Sequence, residues 1–230
     1  MKRLSFLVAL ALAALAVPAV AQAQQARARA ATDWTTRVEV TAEGGYRMGN
    51  PDASWKLVEF GAVSCSHCAE FEMEQGRAIR DLVRTGEVSF EYRPFVLFPS
   101  DPGLFLLLSC QAPGRFFDSL HQLAATHGEW FSRLEPQMTA LYARLEREPY
   151  AQVLPAIVRA TGLDQHFRRQ GMTDRRIASC LADGARLERL GAVTRQGQAL
   201  GVQGTPTFHL NGQLLDVADY AGVVAALRQP

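Results

Sequence analysis

The segment Cys65-Ser66-His67-Cys68 constrains this chain more than any other, because of what flanks it. Before it runs Leu57-Val58-Glu59-Phe60, a short apolar stretch that reads as a strand. After it runs Ala69 to Thr85, which reads as a helix. Two cysteines separated by two residues at a strand-to-helix junction form a redox pattern. Far downstream, Gly204-Thr205-Pro206-Thr207 leads into another apolar strand and the turn Asn211-Gly212. The first segment supplies chemistry, and the second supplies a wall beside it.

The chemistry follows from position. Backbone N–H groups at a helix start lack partners, and the dipole there is positive. A thiolate at Cys65 is stabilised by both, so its pKa falls. Two residues of the first turn then bring Cys68 within bonding reach. Cys65 is expected to be the exposed nucleophile and Cys68 the covered, resolving thiol. His67 adds a hydrogen-bond donor or a positive charge near the thiolate. Stabilising the reduced form makes the disulfide a stronger oxidant.

Two other uses of the pair compete. Structural zinc needs four ligands, and Cys110 and Cys180 stand singly, with no second C-x-x-C. A purely structural disulfide is the other, but a four-residue bridge at a helix start is a reactive geometry. Neither a metal nor a cofactor is therefore expected. Pro206 is expected to follow a cis bond that brings Thr205 close to Cys65, where the Thr205 backbone meets an extended substrate. An ordinary trans Pro at a strand start is the alternative. Glu59 lies in an apolar strand, where Glu is rarely buried without a task or a partner. Two readings stand: a proton relay for Cys68, or a partner for a neighbouring cation such as Lys56.

Met1-Lys2-Arg3, the apolar run Leu4 to Val17, Pro18 and the small-x-small sites ending at Ala21 and Ala23 read as a signal peptide over 1–23. The run is shorter than the ~20 residues of a spanning helix, and no Cys follows it to carry a lipid. Leu104 to Leu108 is the most apolar later run and is far too short to span. Export places all four cysteines in an oxidising compartment. Loss of Lys2 and Arg3 turns a formal charge of +1 into about −1, which offers no attraction for nucleic acid or an acidic membrane surface.

The order of elements points to an α/β protein. Residues 24–37 read as a flexible tail. Val38 to Met48 reads as an edge strand turning at Gly44-Gly45, Lys56 to Phe60 as a buried strand, Cys68 to Arg84 as a helix ending at Gly86, and Val88 to Phe95 as the next strand. Residues 99–182 carry apolar residues at helical spacing and read as an inserted helical domain. Ala185 to Leu200 is a further helix. Thr207 to Leu210 and Gln213 to Val217 form a hairpin around Asn211-Gly212, and Asp219 caps a last helix, Tyr220 to Arg228. Residues 38–98 and 183–230 thus form one α/β layer around the insert.

These residues together resemble the DsbA-like thiol:disulfide oxidoreductases of the thioredoxin superfamily. The likeness rests on Gly49-Asn50-Pro51-Asp52-Ala53 with the strand after it, on the C-x-x-C, on the helical insert, and on Gly201 to Phe208 with Asn211-Gly212. It implies a thioredoxin-like fold with inserted helices. It also implies a periplasmic protein that exchanges disulfides with reduced or unfolded exported polypeptides, and a membrane partner, DsbB-like for an oxidase, that resets the active site. A monomer is expected. By the same resemblance Cys65 attacks, Cys68 resolves, Glu59 assists proton movement, and Thr205, Pro206 and Ser66 meet the substrate. Ser66 departs from the Pro most often found there, which leaves the strength of oxidation open. Some members carry a second, non-catalytic disulfide. Cys110 and Cys180 are the remaining cysteines and are expected to form it, with two buried free thiols as the alternative. Disulfide donation is the leading activity. A reductase or isomerase is the second reading, although family isomerases usually carry an N-terminal dimerisation domain that 24–47 is too short to hold. A chaperone-like peptide-binding module is the third, and the intact C-x-x-C speaks against it.

Overall fold

The structure is a computed structural model that describes residues 32–217 and 220–228. The leader over 1–23, the tail as far as residue 31 and the Asp219 cap lie outside the described residues. Strands β1 (Val38–Val40), β2 (Tyr46–Gly49) and β3 (Trp55–Gly61) precede helix α1 (Ser66–Arg84) and strand β4 (Val88–Pro94). Seven helices follow: α2 (Asp101–Ser109), α3 (Phe116–Ala125), α4 (His127–Leu134), α5 (Met138–Leu145), α6 (Tyr150–Thr161), α7 (Leu163–Arg169) and α8 (Asp174–Leu181). Helix α9 (Gly184–Ala199), strands β5 (Thr207–Leu210) and β6 (Gln213–Leu214) and helix α10 (Tyr220–Ala226) complete the described chain.

The six strands lie in the order β1-β2-β4-β3-β5-β6. β3 and β4 are parallel, from Trp55 opposite Val88 to Gly61 opposite Pro94, with α1 as the crossover that a parallel pair requires. β5 runs antiparallel to β3, with Phe60 opposite Thr207. β3 is therefore interior to the sheet and covered on both faces, which is why it reads as nearly continuous apolar sequence. Leu57 faces the α1 side of the core, while Phe60 packs with Phe95 and Val202 on the other face. There α9 comes so near that a Cβ on Gly197 would stand 3.0 Å from the Phe60 ring. The antiparallel register brings the end of β3 and the start of β5 to one place, so the loop entering α1 and the loop holding Thr205-Pro206 become neighbours.

Most of the helical region shares its core with the sheet. One apolar cluster runs from Tyr46, Leu57 and Phe71 to Leu107, Trp130 and Phe167. Helix α2 is buried from Asp101 through Leu108 and packs against α6, α8 and α9. A helix apolar all round belongs in an interior, which explains the run Leu104 to Leu108. A smaller cluster joins Leu134, Leu141, Val153 and Ile157 within the helices.

Three local expectations are corrected. Residues 33–37, assigned to the tail, belong to the fold. Asp33 caps a 3-10 turn at Trp34–Thr36 and pairs with Arg84. The Trp34 ring lies over Gly86, where a Cβ would come within 2.6 Å of Trp34 Nε1 and φ is +82°. The expected edge strand is two strands, with Thr41–Gly45 as the turn between them. The hairpin arm expected to reach Val217 pairs only at Gln213–Leu214, and the chain beyond it becomes the wall of a groove.

Candidate active site

Helix α1 starts two residues before the expected Cys68, at Ser66, with Cys65 as its N-cap. Cys65 Sγ accepts from the Cys68 N–H at 3.3 Å, as the side chain of a capping Ser or Asp does. Cys65 and Cys68 are both free thiols. On the other side of Sγ, 3.1 Å away, is the carbonyl oxygen of Thr205, which accepts from the protonated thiol. The Thr205-Pro206 bond is cis. Cys65 was expected to be exposed, and it is not. Cys65 and Cys68 are each only 7% exposed, because the Thr205-Pro206 loop lies across the first sulfur. Ser66 and His67, between them, are exposed.

The two thiols are driven apart. The Cys65 thiol is pulled down to about 5, first by a hydrogen bond from the Cys68 thiol; burial opposes, and the Thr205 side chain and the Cys68 and His67 N–H groups lower it further. Burial pushes the Cys68 thiol well up, and the neighbouring Cys65 and Glu59 add to the rise. Cys65 is thus the ionised sulfur and Cys68 the protonated one. The His67 ring hydrogen-bonds Glu70, and its charge is still felt at Cys65. Its Nδ1 lies 3.0 Å from Glu70 Oε2 on the exposed face of α1, and that contact raises the imidazole pKa. What His67 gives Cys65 directly is a backbone N–H.

Glu59 is 4% exposed. Lys56 is three residues away along the strand, so it points to the opposite face and is exposed. The carboxyl of Glu59 is held well above its usual range, chiefly by burial and then by Glu72 and Cys65. It borders a cavity of about 20 Å³ shared with Cys68, Glu72 and Tyr92, room for about one water. Glu72 Oε1 in turn meets His121 Nδ1 at 2.8 Å and Arg80 at 2.5 Å.

Sequence reasoning did not single out Glu72, Asp101 or His127. Glu72 had a signal: it is four residues after Cys68 on the same face of α1. Asp101 reads only as a helix start before Pro102, and His127 carries no local signal. Both gain meaning from the strand order, which carries α2 and α4 back over the active-site loop.

Beside His67 and Pro206 lies a groove of about 550 Å³ with Phe208, Leu215 and Tyr220 in its walls. Leu214 at its border is 60% exposed. Away from it, Cys110 at the end of α2 and Cys180 on α8 form a disulfide across 70 residues.

A sequence model of the thioredoxin family matches residues 41–229. The chain belongs to the thioredoxin family. No curated protein sequence matches it. Among solved structures it is similar to a protein-disulfide isomerase from Novosphingobium aromaticivorans, with 29% identity and a TM-score of 0.76 over 82% of this chain and all of that one. It is similar in fold to Wolbachia pipientis alpha-DsbA1, with 14% identity and a TM-score of 0.62 over 82% of this chain and 92% of that one. Chlamydia trachomatis DsbA matches at 20% identity and a TM-score of 0.54 over 79% and 89%. Within the thioredoxin family the fold is DsbA-like, a mixed sheet with inserted helices.

Proposed function

We propose that the protein is exported to the periplasm and donates the Cys65–Cys68 disulfide to reduced polypeptides folding there. The observation that carries this reading is the separation of the two thiols, with Cys65 near 5 and Cys68 well above its ordinary value. In the oxidised protein a substrate thiolate attacks Cys65 Sγ, and the Cys65–Cys68 bond breaks. Cys68 leaves with the electron pair and takes up a proton, for which the neutral Glu59 is the adjacent donor. A second substrate thiolate then attacks the substrate sulfur of the mixed disulfide and expels Cys65. A low-pKa thiolate leaves readily, so release of the oxidised substrate is favoured and the reduced protein accumulates. A membrane oxidant, DsbB-like in kind, restores the disulfide.

Export is supported by the leader-like start and by the Cys110–Cys180 disulfide. Among the described residues no helix is long and apolar enough to cross a membrane. The groove at Pro206 has the apolar walls that suit an unfolded chain. Isomerisation is the second reading, because the solved relative at 29% identity is named a protein-disulfide isomerase. Equilibration with glutathione separates the two. A potential near about −120 mV supports donation, and one near −180 mV or lower favours isomerase or reductase action.

A further inference from the structure

Asp101 is wholly buried, at 0% exposure. It makes no ion pair with any described residue, yet four donors converge on its carboxyl group. Oδ1 accepts from the Ser64 N–H at 2.8 Å. Oδ2 accepts from Ser64 Oγ at 2.9 Å, from the Leu97 N–H at 2.9 Å and from the Phe98 N–H at 2.7 Å. An ionised carboxylate offers about four acceptor sites and no donor, so this surround fits the anion. Burial pushes the Asp101 carboxyl up to about 6, against those hydrogen bonds. A buried anion without a cation is a costly way to tie a loop. An Asn here would hold fewer of the donors.

What the anion ties is the residue leading into the nucleophile. The other main-chain group of Ser64, its carbonyl, lies 2.9 Å from His127 Nε2. A carbonyl only accepts, so Nε2 carries the proton. The His127 ring is itself fixed, stacked on Phe131 with 5.4 Å between centroids and edge-on to Trp130 at 5.0 Å. Both backbone groups of Ser64 are thus taken by side chains of α2 and α4. The next residue is Cys65, whose Sγ must meet the Cys68 N–H at 3.3 Å and the Thr205 loop. A turn of the Ser64 peptide swings the Cys65 Cα–Cβ bond away from those contacts.

We infer that Asp101 and His127 are positioning residues for the Cys65 thiolate, clamping Ser64 from the helical region so that the sulfur keeps its donors. The inference deepens the reading of Cys65 as nucleophile and rests on it. It makes the inserted helices part of the redox centre, beyond a cover over the substrate.

The direction of one shift tests it. The Cys65 pKa is followed by thiolate absorbance, beside the rate of thiol–disulfide exchange and the melting temperature. If Asp101 acted only by its negative charge, Asp101→Asn would lower the Cys65 pKa. If it acts by position, the pKa rises by about one unit, a tenfold change in ionisation, and exchange slows about tenfold or more. His127→Phe should move both in the same direction. His127→Gln, which can still donate to the Ser64 carbonyl, should restore them. Ser64→Ala deletes one of the four hydrogen bonds and no charge, and a smaller rise is expected. It carries the test if Asp101→Asn does not fold. A Cys65 pKa that is unchanged or lowered in these variants, with only the melting temperature affected, overturns the inference alone. A wild-type Cys65 that titrates as an ordinary cysteine overturns both it and the nucleophile assignment.

Discussion

A thiol that ionises near 5 beside one held far above its usual value assigns the two cysteines different tasks before any substrate arrives. Titration of the reduced protein should show one thiolate forming well below the ~8.5 of a free cysteine. A single transition near that free value would sink the assignment. Cys65→Ala should abolish exchange, and Cys68→Ala should accumulate mixed disulfides on Cys65. The same shift links pH to stability. The folded Cys65 thiol has lost its proton at a pH where the unfolded chain keeps it, so its contribution is complete above about 8.5 and is lost as pH falls through 5. The melting temperature of the reduced protein should therefore climb across that window relative to Cys65→Ala. Glu59 has the opposite sign. Its carboxyl is raised by burial, so the folded state favours the protonated acid and loses stability as pH rises through that value. Glu59→Gln should leave stability unchanged or raised at alkaline pH. It should also slow the step that protonates Cys68 by about a hundredfold or more, the size of a general acid–base contribution. Exchange at the wild-type rate would remove Glu59 from the mechanism.

At the scale of elements, the site is an assembly of ends. Helix α1 brings its positive N-terminus, β3 delivers Glu59, and the entry to β5 brings Thr205 and Pro206. The helices α2 and α8 are held by Cys110–Cys180 with 70 residues between them. Closure of a loop of that length stabilises by up to roughly 4 kcal/mol in the chain-entropy model. Cys180 is 2% exposed and Cys110 is partly buried, so the bond is shielded on the Cys180 side from an attacking thiolate. Peptide mass mapping of untreated protein should find it. Mild reductant should open Cys65–Cys68 and leave it closed, and alkylation of both Cys110 and Cys180 without reduction would disprove it. Double substitution by Ala should lower the melting temperature while leaving the Cys65 titration in place, because the bond is remote from the sulfur.

For the whole molecule, the oxidation state of one pair is coupled to global stability. The depressed Cys65 thiol stabilises the reduced fold, and a disulfide that oxidises others is by the same cycle one that the fold disfavours. The reduced protein should melt at a higher temperature than the oxidised protein at neutral pH. The reverse order, measured by calorimetry, would contradict disulfide donation. One core joins sheet and helices, with Phe71 of α1 and Trp130 of α4 in the same cluster.

The strand–C-x-x-C–helix junction, the late Thr205-Pro206 and the run of amphipathic helices were legible along the chain, because each depends on local geometry: helix ends, turn chemistry and side-chain period. They sufficed for the α/β class and for most element positions. Long-range questions were not open to that reading. The odd spacing of Lys56 and Glu59 on one strand already parts them, but that Glu59 is buried beside Cys68 depends on which face of β3 is covered, and packing decides that. The rotation of α1 turns the His67 ring to Glu70, so its side chain acts on the sulfur by charge. Cys65 was read as exposed, but the β3–β5 register sets the Thr205 loop across it. Asp101 carries only a helix-start signal and His127 carries none. Their place at Ser64 exists only because the helices fold back across the sheet, and a contact between distant residues is written in packing, not in sequence spacing.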